Sequence, residues 1–216
     1  MIISERFLSL LGKHDPDDLD RQEGTIIGTW PDLTLALMND AWTKFANENG
    51  GDVDAWCLGS CILHAVPKIL LSFYREHFEM VLREDRPWEH TYECSSPDEQ
   101  RLFHMMVFPL SAGQGLLMIH SLQKTSRLRG ATSTSTVDEY EYTDGLFHQC
   151  VHCRRVRRAD DINVWDWLPE LVRLPRPNTS HGLCKPCYAF YYCDGRRTVP
   201  SIISTVDPID VQDDMT

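Results

Sequence analysis

Two short stretches, "QCVHC" ending at Cys153 and "HGLCKPC" ending at Cys187, each set two cysteines three positions apart. Cys150 with Cys153 and Cys184 with Cys187 are C-x2-C units, and each unit can grip one edge of a tetrahedron around a single cation. Four thiolates in that arrangement suit a structural Zn²⁺: the shell is closed, so the ion has no water to activate and no Lewis-acid role. The thirty residues between Cys153 and Cys184 exceed the roughly 15–20 common between paired knuckles. They are not empty, because "INVWDWLPELVRL" supplies Trp165, Trp167, Leu168, Leu171 and Val172 for a small core. A segment of fewer than about fifty residues seldom folds on its core alone, and a metal worth roughly 10 kcal/mol or more explains how it holds together.

Other chemistries are open to the same thiols. A [4Fe–4S] cluster also takes four cysteines and makes a redox or gas sensor the alternative function, although paired spacing fits one tetrahedral ion better. A thioredoxin-type dithiol needs only one pair beside a strand–helix unit. Covalent haem is excluded because "CVHC" is followed by Arg154 rather than histidine. His152, His181 and Cys193 are further groups able to ligate, against an ordinary surface or capping role, and Gly182 reads as a tight-turn residue. Cys57, Cys61 and Cys94 read as core. His64, His77, His90 and His104 raise a haem ligand in the first region, against the ordinary role of a hydrogen-bonded histidine. Met105, Met106 and Met118 read as packing residues of a type that also lines ligand cavities.

The elements that position these groups follow from the pattern of the chain. Its 216 residues are 42% hydrophobic and 25% charged, as in a soluble globular fold. There is no long apolar run, so no membrane span is expected, and no signal-peptide order at the start, so the expected compartment is the cytoplasm. There eight cysteines point to metal or redox chemistry rather than disulfides. The net charge of -11 is uneven: up to Gln123 there are nine Lys or Arg against nineteen Asp or Glu, and beyond it twelve against thirteen. The acidic balance disfavours nucleic acid; the run "CRRVRR" reads mainly as arginines that offset nearby acids and a thiolate cluster.

"TIIGTW" and "LTLALMN" read as two strands, and "NDAWTKFANENGG" as a helix capped by Asn39 or Asp40 and stopped by Gly50 and Gly51. "KILLSFYREHFEMVLRED" carries a helical stripe through Leu70, Phe73, Tyr74, His77, Phe78, Val81 and Leu82. "WEHTYECSS", "RLFHMMVFPL" and "GLLMIHSL" read as three more strands. Two strands, helices and three strands predict an α+β fold with an antiparallel sheet and helices on one face. The expected boundaries are an N-terminal extension over 1–24, the sheet domain over 25–122, a Ser/Thr-rich and then acidic linker over 123–144, the four-cysteine module over 145–193 and an acidic, disordered tail over 194–216.

On "MNDAWTKFANENGG", "YECSSPDEQRLFHMMVFPL" and "GLLMIHSL", the first region resembles a PAS domain over about a hundred residues. The whole resembles a narrower group of small bacterial proteins in which such a domain precedes a four-cysteine segment, here ending "HGLCKPC". The resemblance implies a five-stranded sheet with a pocket between sheet and helices, used to bind an unknown small ligand or to dimerise in signalling. No P-loop, H-E-x-x-H, G-x-G-x-x-G or nucleophile elbow accompanies it, so no enzyme is expected. The expected function is a non-catalytic sensory or adaptor protein acting through a protein partner, with a homodimer through the PAS-like domain.

Overall fold

The apolar and alternating runs of the first region pair into one antiparallel sheet. In the computed structural model, which describes residues 1–127, 137–174 and 176–193, β1 (Ile2–Ile3), α1 (Glu5–Leu8) and α2 (Pro16–Asp20) come first. The hairpin of β2 (Thr25–Thr29) and β3 (Leu35–Met38) leads to α3 (Asp40–Glu48) and α4 (Leu71–Glu84), and β4 (Trp88–Glu93), β5 (Glu99–Leu110) and β6 (Gly115–Arg127) complete the sheet. The strand order is β1-β3-β2-β6-β5-β4, with every pair antiparallel. The long helix begins as a 3-10 turn at Lys68–Leu70 after Pro67, and Asp85 ends it in the left-handed region at φ 51.

The α+β class and the five strands expected from Thr25 onward are present, and the structure adds to them. A sixth strand, β1, comes from the segment read as an extension, and α1 and α2 cover the sheet face opposite α3 and α4. Phe78 and Val81 of α4 pack with Met105, Val107, Leu116 and Met118 on one side. Phe7, Leu11 and Leu19 pack with Ile26, Leu37 and Leu117 on the other. All four residues of β3 are buried, the unbroken apolar run of a strand covered on both faces. A Cβ on Gly28 would stand 2.5 Å from the Phe7 ring, so glycine there is what allows the N-terminal segment to approach.

The second sheet is small. β7 (Phe147–Cys150), β8 (Val156–Arg157), β9 (Trp165–Asp166) and β10 (Thr179–Gly182) lie in the order β10-β7-β8-β9, with α5 (Pro169–Arg173) and α6 (Lys185–Tyr188) beside them. Leu168 and Leu171 form its core with Tyr140, Phe147 and Val156. The linker read over 123–144 is narrower than that: β6 runs on to Arg127 through its backbone pairing with β5, and Tyr140 is fully buried in the second core. The rest of that stretch from 128 to 136, and the tail over 194–216, lie outside the described residues. Among the described residues no helix is long and apolar enough to cross a membrane.

One buried polar side chain ties the first region together. Asn39 is fully buried; its Oδ1 accepts from the Ile26 N–H at 2.9 Å and the Trp42 N–H at 3.1 Å, and its Nδ2 donates to the carbonyls of Gly24 at 2.9 Å and Leu19 at 3.4 Å. It is at once the cap of α3, a brace on β2 and an anchor for the end of α2. Asn39→Ala orphans several buried backbone groups together, and the expected loss is about 2–3 kcal/mol of unfolding free energy. Urea unfolding at constant metal content measures it, and a loss within experimental scatter would refute the assigned role.

Candidate metal centre

The four cysteines predicted as ligands come together through strand register. β10 pairs with β7 in parallel, with Gly182 opposite Cys150, and the Val151 N–H donates to the Gly182 carbonyl at 2.9 Å. Two residues beyond Gly182, Cys184 therefore arrives over Cys150, and its N–H donates to the Cys150 sulfur at 3.5 Å. On the other arm, the Arg154 N–H returns to the Cys150 carbonyl at 3.0 Å, and the Cys150 N–H to the Arg155 carbonyl at 2.8 Å. Arg154 turns in the left-handed region at φ 61, which swings Cys153 back beside Cys150. Cys184 caps α6 and Cys187 lies in its first turn, so the second pair is spaced by helix geometry. Gly182 is not a turn residue: it sits in β10 with open space where a Cβ would point.

All four sulfurs lie within 4.8 Å of one another, and all four residues are buried. The sulfurs of Cys153 and Cys184 are 3.8 Å apart, which is about the edge of a tetrahedron with metal–sulfur bonds of about 2.3 Å. The donor set thus fits one tetrahedral ion. An iron–sulfur cluster interposes several irons and sulfides between its thiolates and would spread them wider than this. The thiols also act as a group. Hydrogen bonds from Cys153, Cys184 and Cys187 hold Cys150 far below the ordinary thiol value, while hydrogen bonding with Cys150 pushes Cys184 and Cys187 far above it. One thiolate forms at the expense of the others, and a cation relieves that competition.

The surroundings supply charge and orientation. Burial pulls the Arg155 guanidinium down, but the Cys153 thiolate outweighs it and leaves Arg155 more basic than usual. Arg158 instead pairs with Glu139 at 3.1 Å and Asp160 at 2.9 Å, and Arg157 lies over the Tyr142 and Trp165 rings. The larger finding is His152, which the sequence offered as a surface or substitute-ligand residue and which the structure buries against the cluster. Its Nε2 accepts from the Glu93 N–H at 3.0 Å. A backbone N–H only donates, so the ring proton sits on Nδ1, which lies 3.2 Å from the Cys187 sulfur and donates to it. Burial lowers His152 to about 4, consistent with a neutral ring. Glu93 ends β4, so one imidazole links the first sheet to a metal ligand.

Stacked rings continue that link. Trp88 and His90 of β4 stack at 14°, His90 and Phe190 at 30°, and Phe190 and His152 at 8°. Tyr191 meets Phe73 of α4 edge-on at 4.9 Å and His152 at 5.2 Å. His181 and Cys193 remain outside the sulfur quartet. Cys57 is exposed, contrary to its reading as core, while Cys61 and Cys94 are half-buried. His90 and His77 belong to ring stacks with Trp88, and His104 sits 3.5 Å from Glu89. The histidine that faces the interior of the first region is one that sequence reading passed over, His120.

His120 lines a cavity of about 450 Å³ between the sheet and α4, together with Met105, Met118, Trp42, Tyr74 and Tyr92. Tyr92 Oη lies 2.9 Å from His120 Nδ1. Because its remaining surface faces the cavity rather than bulk water, burial holds His120 at about 4. Burial likewise pushes the Tyr74 hydroxyl up to about 12 and Tyr92 higher still. The lining is therefore neutral at physiological pH around His120, Tyr74 and Tyr92, and its far end is lined by Val151, His152, Arg154 and Tyr191 of the cysteine region.

No family model matches the chain, and no curated protein does. Among solved structures, the chain is similar to the PAS domain of Bordetella pertussis BvgS, at 20% identity and a TM-score of 0.40, over 50% of this chain and 82% of that one. It is also similar to the Rhodobacter sphaeroides LOV protein, at 12% identity and a TM-score of 0.40, over 56% and 68% of the two chains. A third is the PAS domain of a Colwellia psychrerythraea protein, at 15% identity and a TM-score of 0.37, over 50% and 92%.

Two measurements test this site. His152→Ala removes the donor to Cys187 and is expected to weaken metal binding about 10–100-fold, read by competition with a chromophoric chelator; an unchanged affinity would refute the bridge. His120 protonates near 6.5 when unfolded and near 4 when folded. Between those values the unfolded chain binds more protons, so stability rises with pH across that window and is complete above it. His120→Gln is expected to flatten part of that rise between about pH 4 and 6.5 in equilibrium unfolding; parallel curves would show that the ring is not held neutral.

Proposed function

We propose that this chain is a non-catalytic signalling protein of PAS type, in which a sensory or adaptor domain is coupled to a C-terminal module stabilised by zinc. The observation that carries the reading is the meeting of the two parts at His152: the same ring accepts from the end of β4 and donates to Cys187. Four buried sulfurs around one point make a closed tetrahedral site suited to a structural ion rather than to activation of water. The cavity beside the sheet is of the size, about 300–1,000 Å³, that takes small molecules. A change in the cavity that favours one arrangement of β4 also favours one arrangement of the module, which is the differential interaction a two-state response needs.

The module is the part that presents a surface to a protein partner, and the sheet domain is where a second copy of the chain would join. Cytoplasmic residence fits a site of reduced thiols. The test is elemental analysis with an absorption spectrum on protein purified without oxygen. One zinc per chain and no visible absorption are expected, and strong chelation is expected to unfold the module together with its contacts to β4. Iron with visible absorption would replace this reading by that of a redox or gas sensor. Partner binding that is identical with the two modules joined and separated would remove the coupling.

A further inference from the structure

The cavity is unequal in its two ends. Its inner walls combine aliphatic side chains with the rings of Trp42, Trp56 and Phe78, and its neutral His120 and Tyr92 make a buried charge there costly. At the seam with the cysteine region it meets a second hollow of about 470 Å³, lined by Pro67, Lys68, Ile69, Val151, Arg154 and His181; the two share Pro67, Val151 and Arg154. The only carboxylate on either described lining is Glu93, which accepts from Ser95 Oγ at 2.8 Å and faces Arg155. The neighbouring guanidinium groups are engaged: Arg155 with the Cys153 thiolate, Arg157 over the Tyr142 and Trp165 rings, and Arg158 with Glu139 and Asp160. The Arg154 Nε, like that of Arg157, is buried without a hydrogen-bond partner, and among the described residues no carboxylate pairs with Arg154. A half-buried guanidinium without a carboxylate partner at the end of such a cavity is suited to receive an anion.

We propose that the cavity binds an aromatic monocarboxylate, its rings among the tryptophan and tyrosine side chains and its carboxylate held at the seam by Arg154. This rests on the sensory reading above and gives it a ligand class. It also makes the cysteine module part of the ligand site, because Arg154 follows Cys153 directly and its left-handed turn belongs to the first knuckle. Ligand and metal then stabilise the same turn, and each raises the affinity for the other by the same factor.

The experiment titrates full-length, metal-loaded protein with 2-naphthoate and with its neutral counterpart 2-naphthamide, following tryptophan fluorescence and heat, with metal content measured on every sample. The acid is expected to bind about tenfold or more tightly than the amide, the worth of a charge-assisted hydrogen bond. Arg154→Gln brings the acid to the level of the amide and leaves amide affinity unchanged, while Arg154→Lys keeps part of the preference. Equal affinity for acid and amide in the parent protein, or binding of neither, overturns the proposal. So does a preference that survives Arg154→Gln, or an Arg154→Gln protein that keeps its metal and loses both ligands alike. If Arg154→Gln loses metal, Arg154→Lys decides, and an acid preference absent from it overturns the assignment. Metal missing from the parent protein would count against the zinc reading instead, so the two failures are distinguishable.

Discussion

Four cysteine sulfurs held within a few ångströms in a space closed to water cannot all ionise without a cation among them. That electrostatic constraint governs the cysteine region of this chain. The first thiolate is stabilised by its neighbours and the last is strongly opposed by them, so the geometry suits either a proton-sharing cluster or one tetrahedral ion. The local chain is built for that convergence. A parallel pairing of β10 with β7 sets Cys184 over Cys150, a left-handed turn at Arg154 returns Cys153, and a short helix spaces Cys187 from Cys184. The hydrophobic core beside it is small, with Tyr140 and Phe147 its largest members, which leaves much of the folding free energy to the sulfur site.

The site is not remote from the first sheet. His152 can accept from Glu93 and donate to Cys187 only in its neutral Nδ1–H form, and the dry surroundings keep it there. The ring stack from Trp88 through His90 and Phe190 to His152 adds a packed, directional contact to that single hydrogen-bonded bridge. As a result His152 belongs both to the wall of the cavity and to the surroundings of the sulfur cluster. A side-chain movement at this seam is felt by both, because packed interiors transmit displacement rather than absorb it.

The N-terminal segment shows the same economy of contacts. Phe7 and Leu11 cover the sheet face that α3 and α4 leave bare, and the missing Cβ of Gly28 gives the Phe7 ring room. Asn39 binds α2, β2 and α3 through one amide whose donors and acceptor are all used. Both faces of the sheet are covered at β3, and the cavity lies between the sheet and α4.

Much of this was legible in the residues. Strand-length apolar runs, the Asn39 cap, the helical stripe through Phe78 and Val81, and the two C-x2-C pairs each announce their structure because hydrophobic period, capping and ligand spacing are local properties. The signal for the sixth strand and for the second covering layer was present but indirect: "LALM" in β3 is apolar without alternation, which means burial on both faces, yet it does not name what does the burying. The positions of His152, His120 and Arg154 were not legible. Each is a polar residue whose role depends on partners distant in sequence, up to the 59 residues that separate Glu93 from His152. Residue types and spacing by themselves determined which sulfurs are competent to share an ion and which segments form the sheet. Only the tertiary structure decided what stands behind those sulfurs and what closes the cavity, since burial and hydrogen-bond partnership across distant segments exist only once the chain has packed.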